Sequence, residues 1–152
     1  MTLRLRPLTP EEVTEVAAQI ERGYAEDIER HGGLPREAAR KKAAEDMPRV
    51  LSDPASVLYA LEDDGRRVGH LWLGDRELQT GRALWIWDVF VDAPHRGRGL
   101  GRAAMGLVEE EARRRGLGRV ELNVFGGNEV ARSLYRAVGY RELSVTMAKE
   151  LP

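Results

Sequence analysis

A chain of 152 residues is the length of one ordinary domain, long enough to bury a real core and too short for two. Its 24 basic and 25 acidic residues nearly cancel, so no global field draws it to nucleic acid or an anionic membrane, and no run approaches the ~18 apolar residues of a membrane span. With no cysteine it can form neither a disulfide nor a Cys-based zinc site, and the N-terminus lacks the apolar core of a signal peptide, so a single cytoplasmic domain over residues 1–152 without a metal is expected.

Leu3 and Leu5 alternate with Arg4 and Arg6 as a short half-buried strand. Thr9-Pro10-Glu11-Glu12 then opens a helix, with Thr9 as N-cap and Glu12 closing a capping box. Its apolar stripe runs through Val13, Val16, Ala17, Ile20, Tyr24 and Ile28 until Gly32-Gly33 breaks it. A second helix from about Pro35 carries Ala39, Ala43, Met47 and Val50 on one face, with Pro48 expected to kink or end it.

Two strands, Ser56 to Glu62 and Arg67 to Leu73, flank Asp63-Asp64-Gly65-Arg66, a hairpin signal, and a third runs from Arg82 to Val91. The remainder alternates: a helix from about Arg98 to Arg115, a strand Arg119 to Val124, a helix from about Asn128 to Val138, and one or two final strands over Tyr140 to Leu151. Antiparallel strands followed by a β-α-β-α-β half imply an α+β fold on a mixed sheet. Trp72, Trp85 and Trp87 are expected mainly in the core. Glu109-Glu110-Glu111 stands four residues before Arg113-Arg114-Arg115 and reads as a solvated face of i,i+4 pairs.

The most informative stretch is Arg96-Gly97-Arg98-Gly99-Leu100-Gly101-Arg102, between a strand end and a helix start. Glycines admit close backbone approach, and a helix's first turn offers unpaired N–H groups at the positive end of its dipole, so this is a cradle for a pyrophosphate. A Walker loop is excluded for want of Gly-Lys followed by Ser or Thr. A dinucleotide fingerprint, Gly99-x-Gly101-x-x-Ala104 with Glu121 about 20 residues on, fits better. Against it, Glu121 lies near the start of its strand and there is no room for a second mononucleotide half.

Arg96, Gly99 and Gly101 also satisfy Gln/Arg-x-x-Gly-x-Gly/Ala, and Asn128 to Tyr140 contains Asn-x-x-Ala-x-x-Leu-Tyr-x-x-x-Gly-Tyr. On these two motifs in this order the chain resembles the GNAT N-acetyltransferase superfamily along its whole length. The resemblance implies that acetyl-CoA meets the backbone of Arg96 to Arg102, with Arg98 and Arg102 adding charge. Val89, Phe90 and Val91 on a bulged strand would pair with the pantetheine arm, and an N–H near Val89 would act as an oxyanion donor.

Asn128 and Tyr135, two helical turns apart, share a face and could touch two points of an extended ligand. In the family the matching Tyr protonates the leaving thiolate; Asn128 reads equally as a simple N-cap. A lysine-like acceptor amine, with a pKa near 10.4, is neutral in only about one molecule in a few thousand at pH 7 and needs a base or a desolvating pocket.

The family's bases do not transfer: its branches place a Glu where this chain has Trp85, Trp87 or Asn123. Asp88 is the remaining acid on that strand and the candidate base or water-holding residue, with His70 a weaker candidate and His95 flanking the cradle. Tyr24, Glu26 and Asp27 stand where a cationic acceptor would meet the first helix. The reading is acetyl transfer from acetyl-CoA to a small-molecule amine by direct attack in a ternary complex, with neither nucleic acid nor membrane as partner. The alternatives are a protein lysine or N-terminal acetyltransferase, or a non-catalytic acyl-CoA sensor. GNAT domains often form homodimers, but nothing in the sequence specifies an interface.

Overall fold

The computed structural model describes residues 2–152. Strand β1 is Leu3–Pro7, helix α1 Pro10–His31, helix α2 Arg36–Leu51, and strands β2, β3 and β4 are Ser56–Asp63, Arg66–Leu78 and Gly81–Val91. A 3₁₀ turn at Ala93–His95 leads to helix α3 (Leu100–Arg114), strand β5 (Val120–Leu122) and helix α4 (Glu129–Ala137). The five strands lie in chain order, antiparallel except for the parallel β4/β5 pair. This is the mixed α+β architecture expected, short of its last strand. Tyr140 to Pro152 forms no strand, because β5 is paired only to β4 and the segment is exposed from Arg141 onward.

Local chemistry accounts for the elements. Thr9 Oγ1 accepts from Glu12 N–H at 3.3 Å while Glu12 Oε1 accepts from Thr9 N–H at 3.1 Å, closing both ends of the capping box. The turn between β2 and β3 places Asp64 and Gly65 at φ 50° and 79°, as a type I′ hairpin turn requires. Helix α2 runs through Pro48 rather than ending there: Pro48 stands one turn from the helix end, so the single bond it forfeits costs little cooperativity, and Ser52 N–H returns to its carbonyl at 3.1 Å.

The main core lies between the sheet and α3, where Leu61, Leu71, Leu73, Leu84, Leu100 and Val108 are fully buried, each contributing about 2 kcal/mol. On the opposite face Val16 and Ile20 of α1 and Met47 of α2 close over Leu58 and Trp72. The two faces are kept apart by strand periodicity, with one interruption. Leu73 pairs with Ile86 but Trp72 pairs with Asp88, so Trp87 is an extra residue, a β-bulge. Before it Leu84 and Ile86 point to α3; after it Val89 and Val91 do.

The acidic and basic triplets of α3 are not a uniformly solvated face. Glu111 is buried, accepting from Arg115 Nε at 2.8 Å, Arg114 Nε at 2.8 Å and Tyr59 Oη at 3.3 Å, while Arg115 Nη1 reaches Asp75 at 2.7 Å. The cluster ties α3 to β2 and β3. The Arg114 and Arg115 guanidiniums outweigh burial and lower the Glu111 carboxyl from 4.5 to about 2. A depressed carboxylate stabilises the fold above its unfolded pKa, and that contribution is lost as pH falls from about 4.5 through about 2. Glu111→Gln is therefore expected to cost about 2 kcal/mol at neutral pH and to flatten the stability profile across that acid window, as read by urea melts at several pH values.

Candidate active site

The bulge at Trp87 does two things to the end of β4. Pairing with β5 stops at Ile86 opposite Leu122, so Trp87 to Val91 presents an open edge. The change of parity also puts Asp88 and Phe90 on the α1/α2 face beside His70 and Trp72; were these same residues in unbroken alternation, Asp88 would follow Ile86 and its carboxylate would enter the main core.

Strand alternation decides which backbone groups face the cleft. A Cβ on Gly69 would lie 2.0 Å from the Phe90 carbonyl oxygen, so that oxygen points to β3 and the groups of Val89 and Val91 point outward. The Val91 carbonyl already accepts from Arg96 Nε at 2.8 Å, which leaves Val89 as the free backbone station nearest the bulge. Phe90 contributes its ring instead, stacked at 5.3 Å on His70 and at 5.0 Å under the Arg96 guanidinium.

Asp88 Oδ2 lies 2.7 Å from His70 Nε2. An ionised carboxylate can only accept, so the imidazole donates from Nε2 and fixes the carboxylate's orientation while the other oxygen is left for a ligand. His70 itself is buried and Asp88 is one-third exposed, so the pair has a dry side and a wet side.

The charge of Asp88 is felt on α4 and on α1. Burial, followed by the charges of Asp88 and Asp27 and the neighbouring Tyr140, pushes the Tyr135 phenol up to about 12. The Asp27 carboxyl near the end of α1 is raised above its ordinary value, first by burial, with Asp88 raising it and His31 opposing. His31 stacks on Phe125 at 6.2 Å, and a Cβ on Gly127 would come within 2.5 Å of its Nδ1, so α1 closes against the loop before α4. His31 and Phe125 were not singled out by the sequence; Gly126-Gly127, which leaves room for the ring, was their only trace.

The cradle lies at the start of α3. Gly97 and Gly99 adopt φ 79° and 75°, a left-handed conformation open to glycine, and a Cβ there would meet nothing within 4 Å. No side chain caps α3, so the N–H groups of Leu100, Gly101 and Arg102 face outward without a side-chain partner. Gly101 touches Leu134 of α4, 3.3 Å from its would-be Cβ, which sets the cradle one helix contact away from Tyr135. These groups fit a pyrophosphate: free donors, positive dipole, and the exposed Arg102.

Some candidates have other partners. Arg98 donates to Asp63 Oδ2 at 2.9 Å, so its charge is already matched. Tyr24 donates to Asp46 at 3.1 Å, bracing α1 on α2. Asn128 caps α4 by accepting from Ala131 N–H at 3.2 Å. Glu121 is taken by Arg119 and Thr80, so it is not a free ribose ligand as a dinucleotide site requires. Trp72 and Trp85 are buried, while Trp87 is partly exposed and lies with Trp85 under the Arg76 guanidinium.

Residues 18–140 match the model of the acetyltransferase (GNAT) family. The chain is 30% identical to the uncharacterized N-acetyltransferase YycN of Bacillus subtilis, over 99% of this chain and all of that one. The crystal structure of YycN superposes with a TM-score of 0.90 over 99% of both chains. A Clostridium acetobutylicum acetyltransferase solved with acetyl-CoA shares the fold at 14% identity, with a TM-score of 0.68 over 98% of this chain and 96% of that one. AAC(6')-Iy, solved with a CoA-linked bisubstrate analogue, does so at 13% identity, with a TM-score of 0.67 over all of this chain and 99% of the other.

Proposed function

The chain belongs to the GNAT acetyltransferase family, and we propose that it moves the acetyl group of acetyl-CoA onto the amine of a small cationic acceptor by direct attack in a ternary complex. The observation that carries this reading is the open end of β4 beyond its bulge, with Asp88 held there by His70, next to an uncapped helix start.

The donor thioester supplies the activated acyl carbon. Its pyrophosphate belongs on the N–H groups at the start of α3, and its arm along the open edge of β4, where Val89 N–H is the donor for the developing oxyanion. The acceptor enters between the ends of α1 and β4, where Asp27 and Asp88 attract a cation. A water or the amine itself bonds the Asp88 oxygen that His70 does not hold, and the ammonium proton leaves by that route. Attack then forms the C–N bond and breaks the C–S bond, the amine's second proton passes to solvent, and Tyr135 gives its proton to the departing sulfur. The phenol is reprotonated from water.

Burial is the main reason Tyr135 keeps its proton, and the charges of Asp88 and Asp27 add to it.

The test is thiol release from acetyl-CoA with polyamines, amino acids, aminoglycosides and lysine peptides in parallel. Turnover with a small polycationic amine and none with peptides is the expected result. Turnover confined to peptides, or saturable acetyl-CoA binding without turnover on any acceptor, would replace this reading by a protein acetyltransferase or a sensor.

A further inference from the structure

Strand alternation sets Trp72, Gly74 and Arg76 of β3 in one row on the α1/α2 side of the sheet. Beside that row on β4, Trp85 lies opposite Gly74, and Trp87 is the extra residue of the bulge. The missing side chain at Gly74 lets the indoles close up: a Cβ there would come 3.0 Å from Trp87 Nε1. The Trp87 ring packs at 5.8 Å on Trp72 and at 5.8 Å on Trp85, so three indoles floor a slot that starts opposite Asp88. Arg76 closes the other end, its guanidinium 4.6 Å from the Trp85 ring centre and 5.1 Å from that of Trp87. Among the described residues no side chain or carbonyl accepts from this guanidinium: Glu121 is held by Arg119 and Thr80, and Asp75 by Arg82 and Arg115.

A planar cation steadied on two indoles, with its N–H groups unpaired, is prepared to take a carboxylate through two parallel bonds. Resting on the acetyl transfer proposed above, we propose that Arg76 receives the carboxylate of the acceptor, and that the acceptor is a diamino acid whose terminal amine lies at Asp88. The slot has an anion at one end, a cation at the other and an apolar floor between, and such a molecule carries the opposite charges in the same order. Arg76 stands four residues along β3 from Trp72, about 13 Å at ~3.3 Å per residue, and its guanidinium folds back over Trp87 and shortens that span. A side chain of three or four methylenes, with a hydrogen bond of about 3 Å at each end, bridges it. Two ammonium groups and one carboxylate leave the molecule cationic, as suits Asp27 and Asp88. A diamine without the carboxylate brings its second ammonium against Arg76, and a lysine inside a peptide has no carboxylate to offer.

L-lysine and L-ornithine are to be compared with cadaverine and putrescine, the same diamines without the carboxylate, as acceptors from acetyl-CoA. The parent chain, Arg76→Gln and Arg76→Lys are each assayed, with circular dichroism on the variants. The parent is expected to favour each amino acid over its matched diamine by about 30-fold in kcat/KM, the worth of a charge-assisted pair. Arg76→Gln is expected to bring that ratio near one, and Arg76→Lys, which keeps the charge without the fork, to fall between. The ratio is internal to each protein, so a variant that folds only in part does not alter it. The product is expected to carry its acetyl group on the terminal nitrogen. A parent with no preference for the amino acids, a preference that survives Arg76→Gln, or acetylation of the α-nitrogen overturns the role of Arg76 and leaves acetyl transfer standing. Absence of turnover with every amine, polyamines, aminoglycosides and peptides included, removes the transfer reading and the carboxylate site with it.

Discussion

Tyr135→Phe is expected to lower kcat by about a hundredfold or more while the affinity for acetyl-CoA changes little. The substitution removes one oxygen and keeps the ring, which packs at 5.9 Å on Tyr140, so the fold and the cradle are unaffected. What is lost is a proton held in place: with the phenol pushed up to about 12, every molecule carries it across the working pH range. A thiol of ordinary pKa, about 8.5, is a far weaker base than that phenolate, so the transfer is unfavourable in the empty site. Donation is therefore expected to run together with C–S cleavage, as charge builds on the sulfur. Loss of a positioned general acid costs ~10²–10⁴ in rate. The effect belongs in kcat because the hydroxyl is called on only as the C–S bond breaks. Steady-state kinetics on the variant, with the donor Kd measured separately, checks this. A kcat within about threefold of the parent would remove Tyr135 from the chemistry.

Asp88→Asn is expected to reduce kcat/KM for a cationic acceptor by about a hundredfold, with the deficit present from pH 6 to 9. The geometry favours a holding role for the carboxylate. Its proposed contribution is to hold the ammonium or a water at the mouth of the cleft, where His70 has already fixed one oxygen at 2.7 Å. The amide of Asn can still accept from His70, so the variant keeps the geometry and loses the charge. Both KM and kcat should suffer: KM through the missing attraction, kcat through a misplaced proton path. Turnover equal to the parent at every pH from 6 to 9 would exclude the role.

What the sequence discloses about the fold is what neighbours in the chain decide. Thr9 and Glu12 cap α1 because three residues separate them, and Asp64-Gly65 turns the hairpin because of its own dihedral preferences. The glycines at positions 97 and 99 are legible for the same reason. Pairings across the fold are not: nothing local joins Arg98 to Asp63, Tyr24 to Asp46, or Glu111 to Tyr59. Each of those contacts changed the description of a residue whose type and exposure had suggested a solvated or ligand-facing charge. Tyr140 to Leu151 shows the same limit from the other side. Its alternation is a strand pattern, but a strand is defined by its partner, and a pattern does not say where the partner is. The bulge was legible only by resemblance, because one extra residue in a run such as Trp85-Ile86-Trp87-Asp88 leaves no mark on composition.

That extra residue also bears on how the protein can change over generations. A substitution at Trp87 alters what is packed there but not the count, so Asp88 stays on its own side of the sheet. Removing the Trp87 codon would leave Asp88 opposite Trp72 and Phe90 opposite His70 in an unbulged strand, so each residue keeps its side of the sheet while the local break in the ladder is lost. Drift by point mutation can therefore explore many acceptor pockets around this strand, whereas loss of that one residue would straighten the edge where pairing with β5 stops and leave the carboxylate on its side of the sheet.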